Sequence, residues 1–304
     1  MKLLVTGSKG LVGSAIIKQN KNFELIPIDS SYDLRQEEVV KNIFKLYRPD
    51  YIIHTAAKVG GVGGNKLYPG QYYYDNILMN SYIIHYSYLY QVKKLLVFSS
   101  VCAFPDNLKE LKEDLLHAGE PSKFNTEYAY AKRMVDVQIQ AYKKQYNINN
   151  FCSIIPVNIF GENDNYNIES GHIIPSLIHK IYKAKQNNTD LQVWGDGTPE
   201  REFIYSKDLA NILLQLLELN NIPDKIIISN SNGYKIKDIV EILVDCSKFN
   251  NNILWDISKP NGQLRRPSNT NLLKSLINYK FTDLKEAFIN SYNWFEENYE
   301  LARK

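Results

Sequence analysis

Along the first half of the chain, short runs that are apolar throughout alternate with longer stretches in which apolar residues recur every three or four positions. A continuous apolar run of four to eight residues suits a strand buried on both faces, and the longer spacing suits a helix buried on one. The alternation predicts βαβ units around a parallel sheet. In order, "KLLVTG" reads as a strand, "LVGSAIIKQN" as a helix, "FELIPID" as a strand, "EEVVKNIFKLY" as a helix closed by "RPD", and "YIIHTAA" as a third strand. After the glycine-rich "VGGVGGN", the pattern predicts a helix from about Gln71 to Gln91 and the strand "KKLLVFSS". Next come a helix starting near Asn125, with Thr126 as its N-cap and an end at about Tyr146, and the strand "NNFCSIIPVNIFG". From about Gly161 the polar loops lengthen around scattered apolar segments such as "HIIPSLIHKIYKA", "LQVWGDG", "REFIYSKDLANILLQLLEL" and "DLKEAFINSYNWFEENY".

Composition excludes several functions. The 304 residues carry 36 Lys and Arg against 33 Asp and Glu, a net charge of +3 with no long run of either sign. Neither nucleic acid nor a membrane surface is indicated, although a small anionic ligand remains compatible. Cys102, Cys152 and Cys246 are too few and too scattered for a disulfide framework or a CxxC-type metal site, which fits a reducing compartment. No metal centre is expected. The N-terminal "MKLLVTGSKG" turns to glycine and charge too soon for a signal peptide, and no apolar run approaches the ~18 residues of a membrane span. A cytoplasmic protein is expected.

The first strand and first helix are joined by "GSKGLVG", which sets Gly7, Gly10 and Gly13 in a GxxGxxG. In a dinucleotide fold the first glycine allows a tight turn, the second lets a pyrophosphate approach, and the third lets helix pack on strand. The anion then meets free N–H groups at the helix N-terminus. A glycine triplet alone is weak, but directly after an apolar strand and before an amphipathic helix it is much stronger. The expected fold is therefore α/β: a Rossmann-type doubly wound parallel sheet over residues 1–160. A smaller C-terminal α/β region over 161–304 is expected mainly to bind substrate, with segments returning to the sheet. At the end of the second strand, Asp29 suits both hydroxyls of an adenosine ribose and would repel a 2′-phosphate, which argues for NAD(H). Lys9 and Arg35 could meet that phosphate or be solvated surface charges.

Tyr128 and Lys132 in "TEYAYAKR" lie at i and i+4 and share one face of the predicted helix. Among 22 tyrosines the spacing alone decides nothing, and Tyr90 and Lys94 repeat it across a helix end and a strand start, where it reads as structural. The setting of the first pair differs. A free phenol titrates near 10, and a neighbouring ammonium or a cationic nicotinamide would lower it until it serves as acid and base near neutrality. A second donor is needed to hold a substrate oxygen. "FSSVCAFP" offers Ser99 and Ser100 at the carboxyl end of the fourth strand, the edge where parallel sheets bind ligands.

Together these features resemble the extended short-chain dehydrogenase/reductases and, within them, the GDP-L-fucose synthase family. The resemblance covers nearly the whole chain through "AAKVGGVGGN" (56–65), "SSVCAFP" (99–105), "EYAYAK" (127–132), "SGHIIPSL" (170–177), "VWGDGTPEREFIYSKDLA" (193–210) and "KPNGQLRR" (259–266). It implies Ser100, Tyr128 and Lys132 as a reductase triad, and Ser100 is preferred to Ser99 because it lies four residues before Phe104. It also implies Cys102 and His172 as an acid/base pair, although each in isolation would read as structural. For the substrate it implies Arg201 on the nucleotide diphosphate, Trp194 against the guanine or sugar, and Lys180 where the family carries arginine. The expected activity is NAD(P)H-dependent reduction at C4 of a GDP-linked keto sugar, with C3 and C5 epimerisation open, by a homodimer packed through its long helices. NADP(H) is favoured by the resemblance.

The sequence departs from that family in places. Asp29 stands where basic residues usually meet the 2′-phosphate, Val101 follows Ser100, Phe104 replaces a tyrosine, Lys180 loses an arginine's bidentate fork, and Asn269 replaces an acidic residue. These suggest a changed sugar, such as a heptose, or reduction without epimerisation. An NAD-retaining 4-epimerase or dehydratase of the same superfamily is the other enzyme reading. Dehydratases usually place an acidic pair after the catalytic serine or threonine, and Val101–Cys102 supplies none. A noncatalytic dinucleotide sensor would usually have lost the tyrosine or lysine, and both are present.

Overall fold

The structure is a computed structural model and describes residues 1–60, 64, 67–123, 125–258 and 266–304. Much of "VGGVGGN" and of "KPNGQLRR" lies outside these residues. In chain order, the first half forms β1 (Lys2–Thr6), α1 (Leu11–Gln19), β2 (Glu24–Ile28), α2 (Glu37–Tyr47), β3 (Tyr51–His54), α3 (Pro69–Leu89), β4 (Lys94–Phe98), α4 (Thr126–Tyr146) and β5 (Phe151–Pro156). The second half forms β6 (Asn158–Phe160), α5 (Ile173–Asn187), β7 (Leu191–Trp194), β8 (Glu200–Tyr205), α6 (Ser206–Glu218), β9 (Lys225–Ile228), β10 (Gly233–Lys235), α7 (Ile236–Ser247), β11 (Ile253–Asp256), α8 (Asn271–Leu276) and α9 (Leu284–Glu297).

Alternate side chains of a strand face opposite ways, so a run that is apolar throughout needs cover on both faces. In β1, Leu3 and Val5 pack with Ile16 of α1 and with Leu209 and Leu213 of α6. Leu4 packs the other way, with Val40 and Phe44 of α2, Ile83 and Ile84 of α3, and Val135 and Ile139 of α4. The result is a doubly wound, wholly parallel sheet in the order β2-β1-β3-β4-β5-β9. Its strand order reverses between β1 and β3, and such a switch point opens a crevice at the carboxyl edge. A second core, including Phe160, Ile178, Phe203, Leu243, Phe288 and Phe295, binds α5, α7 and α9 to a small sheet of order β10-β8-β6. A parallel pair, β11-β7, lies beside it.

The switch point carries a buried polar stitch. Thr6 Oγ1 accepts the Ala56 N–H at 3.1 Å, so its hydroxyl proton is free for His54 Nδ1 at 2.7 Å, and His54 Nε2 then donates to Asn80 Oδ1 at 3.2 Å. Burial, helped by the Lys132 charge, drives the His54 pKa down to about 3, which keeps the imidazole neutral. β1, β3 and α3 are thereby fixed where the crevice opens.

Several sequence expectations shift by local chemistry. The helix expected from Gln71 to Gln91 starts at Pro69, where the missing N–H costs nothing in a first turn, and stops at Leu89; Gln91 has φ of 54°. Thr126 is not the N-cap of α4. Asn125 holds that position, and the Thr126 hydroxyl instead donates to the Ser122 carbonyl at 3.0 Å. The segment "NNFCSIIPVNIFG" is two strands, because β6 leaves the main sheet and pairs with β8. After α6 the chain re-enters the main sheet as β9, at the edge beside β5.

The second tyrosine–lysine pair is structural. Tyr90 caps the end of α3 with Arg48 against its ring at 4.7 Å, while Lys94 Nζ donates to the Leu217 carbonyl at 2.7 Å and to that of Leu219. Lys94 thus satisfies the carbonyl end of α6, where a cation also complements the helix dipole. Replacing it with methionine should cost about 1–2 kcal/mol of stability, read as a melting temperature a few degrees lower, with turnover retained. Loss of turnover in a folded Lys94→Met protein would contradict this assignment.

Candidate active site

At the carboxyl end of β1, the chain turns through Gly7 at φ of +65°, a left-handed conformation that favours glycine. A Cβ on Gly13 would lie 2.2 Å from the Gly7 carbonyl oxygen, so α1 packs against the turn only because position 13 is bare. Gly10 is the N-cap of α1 and offers no side chain to its free N–H groups. The three glycines therefore build a cradle whose first helical N–H groups point at an anion, and this fits a dinucleotide pyrophosphate.

Beside the cradle, Asp29 accepts from the Ser31 N–H at 2.9 Å and its hydroxyl at 2.6 Å, and Lys9 Nζ lies 2.5 Å from the other oxygen. The Lys9 ammonium, with the Ser31 donors, holds the carboxyl well below the usual carboxylate range. Lys9 is therefore already engaged by Asp29. Arg35 is likewise committed, to Asp33 at 2.8 Å and to Asp75 at 3.3 Å.

The triad candidates meet at the ends of β4 and α4. Ser99 is buried and turns inward, its hydroxyl donating to the Lys132 carbonyl at 3.0 Å. Ser100 faces the other way and hydrogen-bonds the Tyr128 phenol. Its Oγ also accepts the Cys102 N–H at 3.2 Å, which folds "SVCA" into a short 3-10 turn. Lys132 is almost fully buried one helical turn below Tyr128, with Nζ 3.0 Å from the Phe98 carbonyl and 5.9 Å from the Tyr128 ring centre.

Electrostatics here differ from the sequence expectation. Burial, reinforced by Cys102 and Tyr72 and opposed by the Ser100 hydrogen bond, pushes the Tyr128 pKa up rather than down. Desolvation simultaneously lowers Lys132 to about 8. Both shifts have one cause: the low-polarity floor of the crevice disfavours either charge. A phenol buried in this way is a held proton donor, and a further positive charge beside it is what would make it a base.

Cys102 is partly exposed on the turn after Ser100. His172 is the exposed N-cap residue of α5, in the second lobe, and desolvation on its protein side lowers its pKa. A helix N-terminus also disfavours imidazolium, so His172 is set to be neutral. In the same lobe, Lys180 Nζ lies 4.8 Å from the ring centre of Trp194, a residue that is 60% exposed. Arg201 on β8 donates to the Glu200 carbonyl at 2.8 Å. Desolvation lowers its pKa, and so does the nearby Arg266.

Two site residues were not singled out from the sequence. Arg266 ends a recognised motif, but only folding brings it beside Arg201, and its Nη1 donates to the Pro105 carbonyl at 2.9 Å. Two desolvated guanidiniums near each other disfavour one another's charge, and a phosphate's oxygens would suit both. Tyr72, within a run of three tyrosines, packs edge-on against Tyr128 with centroids 6.5 Å apart. No sequence signal distinguishes it from its neighbours.

Comparison with known proteins points in one direction. Residues 3–229 match the model of the NAD dependent epimerase/dehydratase family. The chain is 37% identical to a GDP-L-fucose synthase of Dictyostelium discoideum, over 99% of this chain and 97% of that protein. A crystal structure of a GDP-L-fucose synthetase from Naegleria fowleri bound to NADP superimposes with a TM-score of 0.93 at 37% identity, covering 100% of this chain and 95% of that one. A GDP-mannoheptose C4 reductase from Campylobacter jejuni with NADP bound superimposes at 0.86 with 25% identity, covering 97% and 98%.

Replacing Tyr128 with phenylalanine should lower reductase turnover at least ~10²-fold while leaving the melting temperature and dinucleotide affinity near those of the parent. A folded Tyr128→Phe protein with near-normal turnover would remove the phenol from the chemistry.

Proposed function

Because the chain belongs to the NAD dependent epimerase/dehydratase family and, within it, to the GDP-L-fucose synthases, we propose that it reduces a GDP-linked 4-keto sugar at C4 using NADP(H). The observation that carries the reading is a buried phenol bonded to Ser100, with a desolvated lysine one turn below and a glycine cradle at the neighbouring strand end. Gly7, Gly10 and Gly13 would hold the pyrophosphate, and Lys132 the nicotinamide ribose. Bound there, the reduced nicotinamide supplies a hydride for C4.

The chain's own groups manage the oxygen and the protons. Ser100 holds the C4 oxygen, and Tyr128 gives it the phenolic proton as the alcohol forms. The phenolate left behind is stabilised by the Ser100 hydroxyl and by Lys132. Arg201 and Arg266 bind the diphosphate, whose negative charge relieves their mutual repulsion. Trp194, backed by Lys180, walls the guanine or sugar. Residues 161–304 are in this reading mainly the substrate side.

The C4 carbonyl also acidifies the hydrogens at C3 and C5. Cys102 and the neutral His172 are the groups that would remove and return protons there, inverting those centres before reduction. Reduction without inversion is the second reading, supported by the departures from the family pattern at Val101, Phe104, Lys180 and Asn269. Asp29 accepts ribose hydroxyls, so NADH is a weaker alternative, whereas Lys9 meets a 2′-phosphate only beside that carboxylate.

The outer faces of α3 and α4 support a homodimer. Tyr73, Tyr74 and Leu89 on one helix and Met134, Val137 and Tyr146 on the other are exposed apolar groups that a second copy would cover. Among the described residues, no helix is long and apolar enough to cross a membrane. A cytoplasmic location accords with the scattered free cysteines.

Incubation with GDP-4-keto-6-deoxymannose and NADPH in deuterated water should give a reduced product carrying deuterium at C3 and C5. With Cys102→Ser, the C4-reduced product should persist and the exchange should fall by ~10². Reduction without exchange in the parent protein would assign it C4 reduction alone. No turnover with either NADPH or NADH would exclude this sugar.

A further inference from the structure

Arg266 owes its place beside Arg201 to a short strap, residues 266–270, that makes no helix or strand of its own before α8. One edge of the strap is stitched to the segment that follows the Ser100 turn. Leu111 donates its N–H to the Pro267 carbonyl and accepts the Asn269 N–H, both at 2.8 Å, while Asn269 Nδ2 donates to Glu110 at 3.3 Å. The other edge is held by one buried carboxylate. Glu202 Oε1 accepts the Ser268 N–H at 2.9 Å, and its Oε2 accepts the Ser229 hydroxyl at 2.7 Å. Ser229 Oγ in turn accepts the Ser231 N–H at 2.9 Å, and the Ser231 and Thr270 hydroxyls meet at 2.7 Å.

Glu202 therefore ties three separate parts of the chain together: β8, the carboxyl end of β9, and the strap. It is only 6% exposed. A carboxylate at that depth is retained where it makes hydrogen bonds that an apolar side chain cannot. Arg201 precedes it on the same strand, and neighbouring strand residues point to opposite faces, so the strand offers Arg201 to the crevice while Glu202 secures the layer behind. The same strap fixes Arg266 against the Pro105 carbonyl.

We propose that Glu202 is a positioning residue for substrate anion binding: without touching the substrate, its carboxylate sets the strap so that Arg266 stands beside Arg201 and forms a two-guanidinium clamp. This rests on the reading of that pair as the diphosphate site. A cluster of hydrogen bonds that served only stability would not discriminate between ligands. Glu202 instead controls the substrate half of the crevice and leaves the glycine cradle alone.

The test measures binding of GDP and, separately, of NADPH by calorimetry, with KM and kcat alongside. Glu202→Ala should weaken GDP binding at least tenfold and raise KM correspondingly, with NADPH affinity within twofold and kcat little changed. Glu202→Gln can still accept from Ser268 and donate to Ser229, so it should restore most of the affinity. In an Arg266→Ala background the Glu202→Ala penalty should nearly vanish, because the strap then positions nothing. Should the alanine variant fail to fold, Glu202→Asp keeps the charge but withdraws the carboxylate by about 1.5 Å and should weaken GDP in the same selective way. Unaltered GDP affinity in folded Glu202→Ala or Glu202→Asp, or equal penalties with and without Arg266, would overturn the proposal alone. Absence of GDP binding by the unaltered protein would instead overturn the diphosphate reading, and the proposal with it.

Discussion

Everything at the candidate active site depends on desolvation of Tyr128 and Lys132 within a single turn of α4. The sheet buries the base of that helix, the stitch from Thr6 through His54 to Asn80 closes the floor, and the Phe98 carbonyl receives the lysine ammonium. In such surroundings neither a phenolate nor an ammonium is welcome by itself. The phenol is kept protonated and Lys132 drops to about 8, so the resting site is poised rather than activated. Its chemistry awaits the charges that ligands bring.

The same logic governs the rest of the crevice. Lys9 is held by Asp29, and Arg35 by Asp33 and Asp75, while the Arg201 guanidinium, lowered by desolvation, also feels the charge of Arg266. Ser100 belongs to both halves, since it bonds Tyr128 and folds the turn that presents Cys102. Glu202 extends this arrangement by holding the strap that carries Arg266.

Much of the architecture was legible in the chain because both its signals are local. Runs such as "KLLVT" and "YIIH" are buried on two faces and therefore unmistakably apolar, and the GxxGxxG is contiguous with the strand and helix that give it meaning. Tyr128 and Lys132 were readable for the same reason: i and i+4 on one helix need no tertiary knowledge. The split between β5 and β6 was not readable, since the apolar run continues through Val157 while the partner strand changes. Arg266 and Tyr72 were missed because their places near the candidate site come from contacts across long sequence separations. The sign of the Tyr128 shift was misjudged for a related reason: sequence shows the lysine but not how completely both groups are buried.

The account's central claim is that burial holds Tyr128 protonated until a positive charge arrives beside it. The direct test is NMR of the protein with ring-13C-labelled tyrosine, titrated free and with oxidised NADP, the Tyr128 signal being assigned by its absence from Tyr128→Phe. The account predicts a phenol that stays protonated beyond pH 10 in the free protein and titrates at least two units lower in the complex. A phenol already ionising near neutrality without cofactor, or one unmoved by its binding, would contradict it.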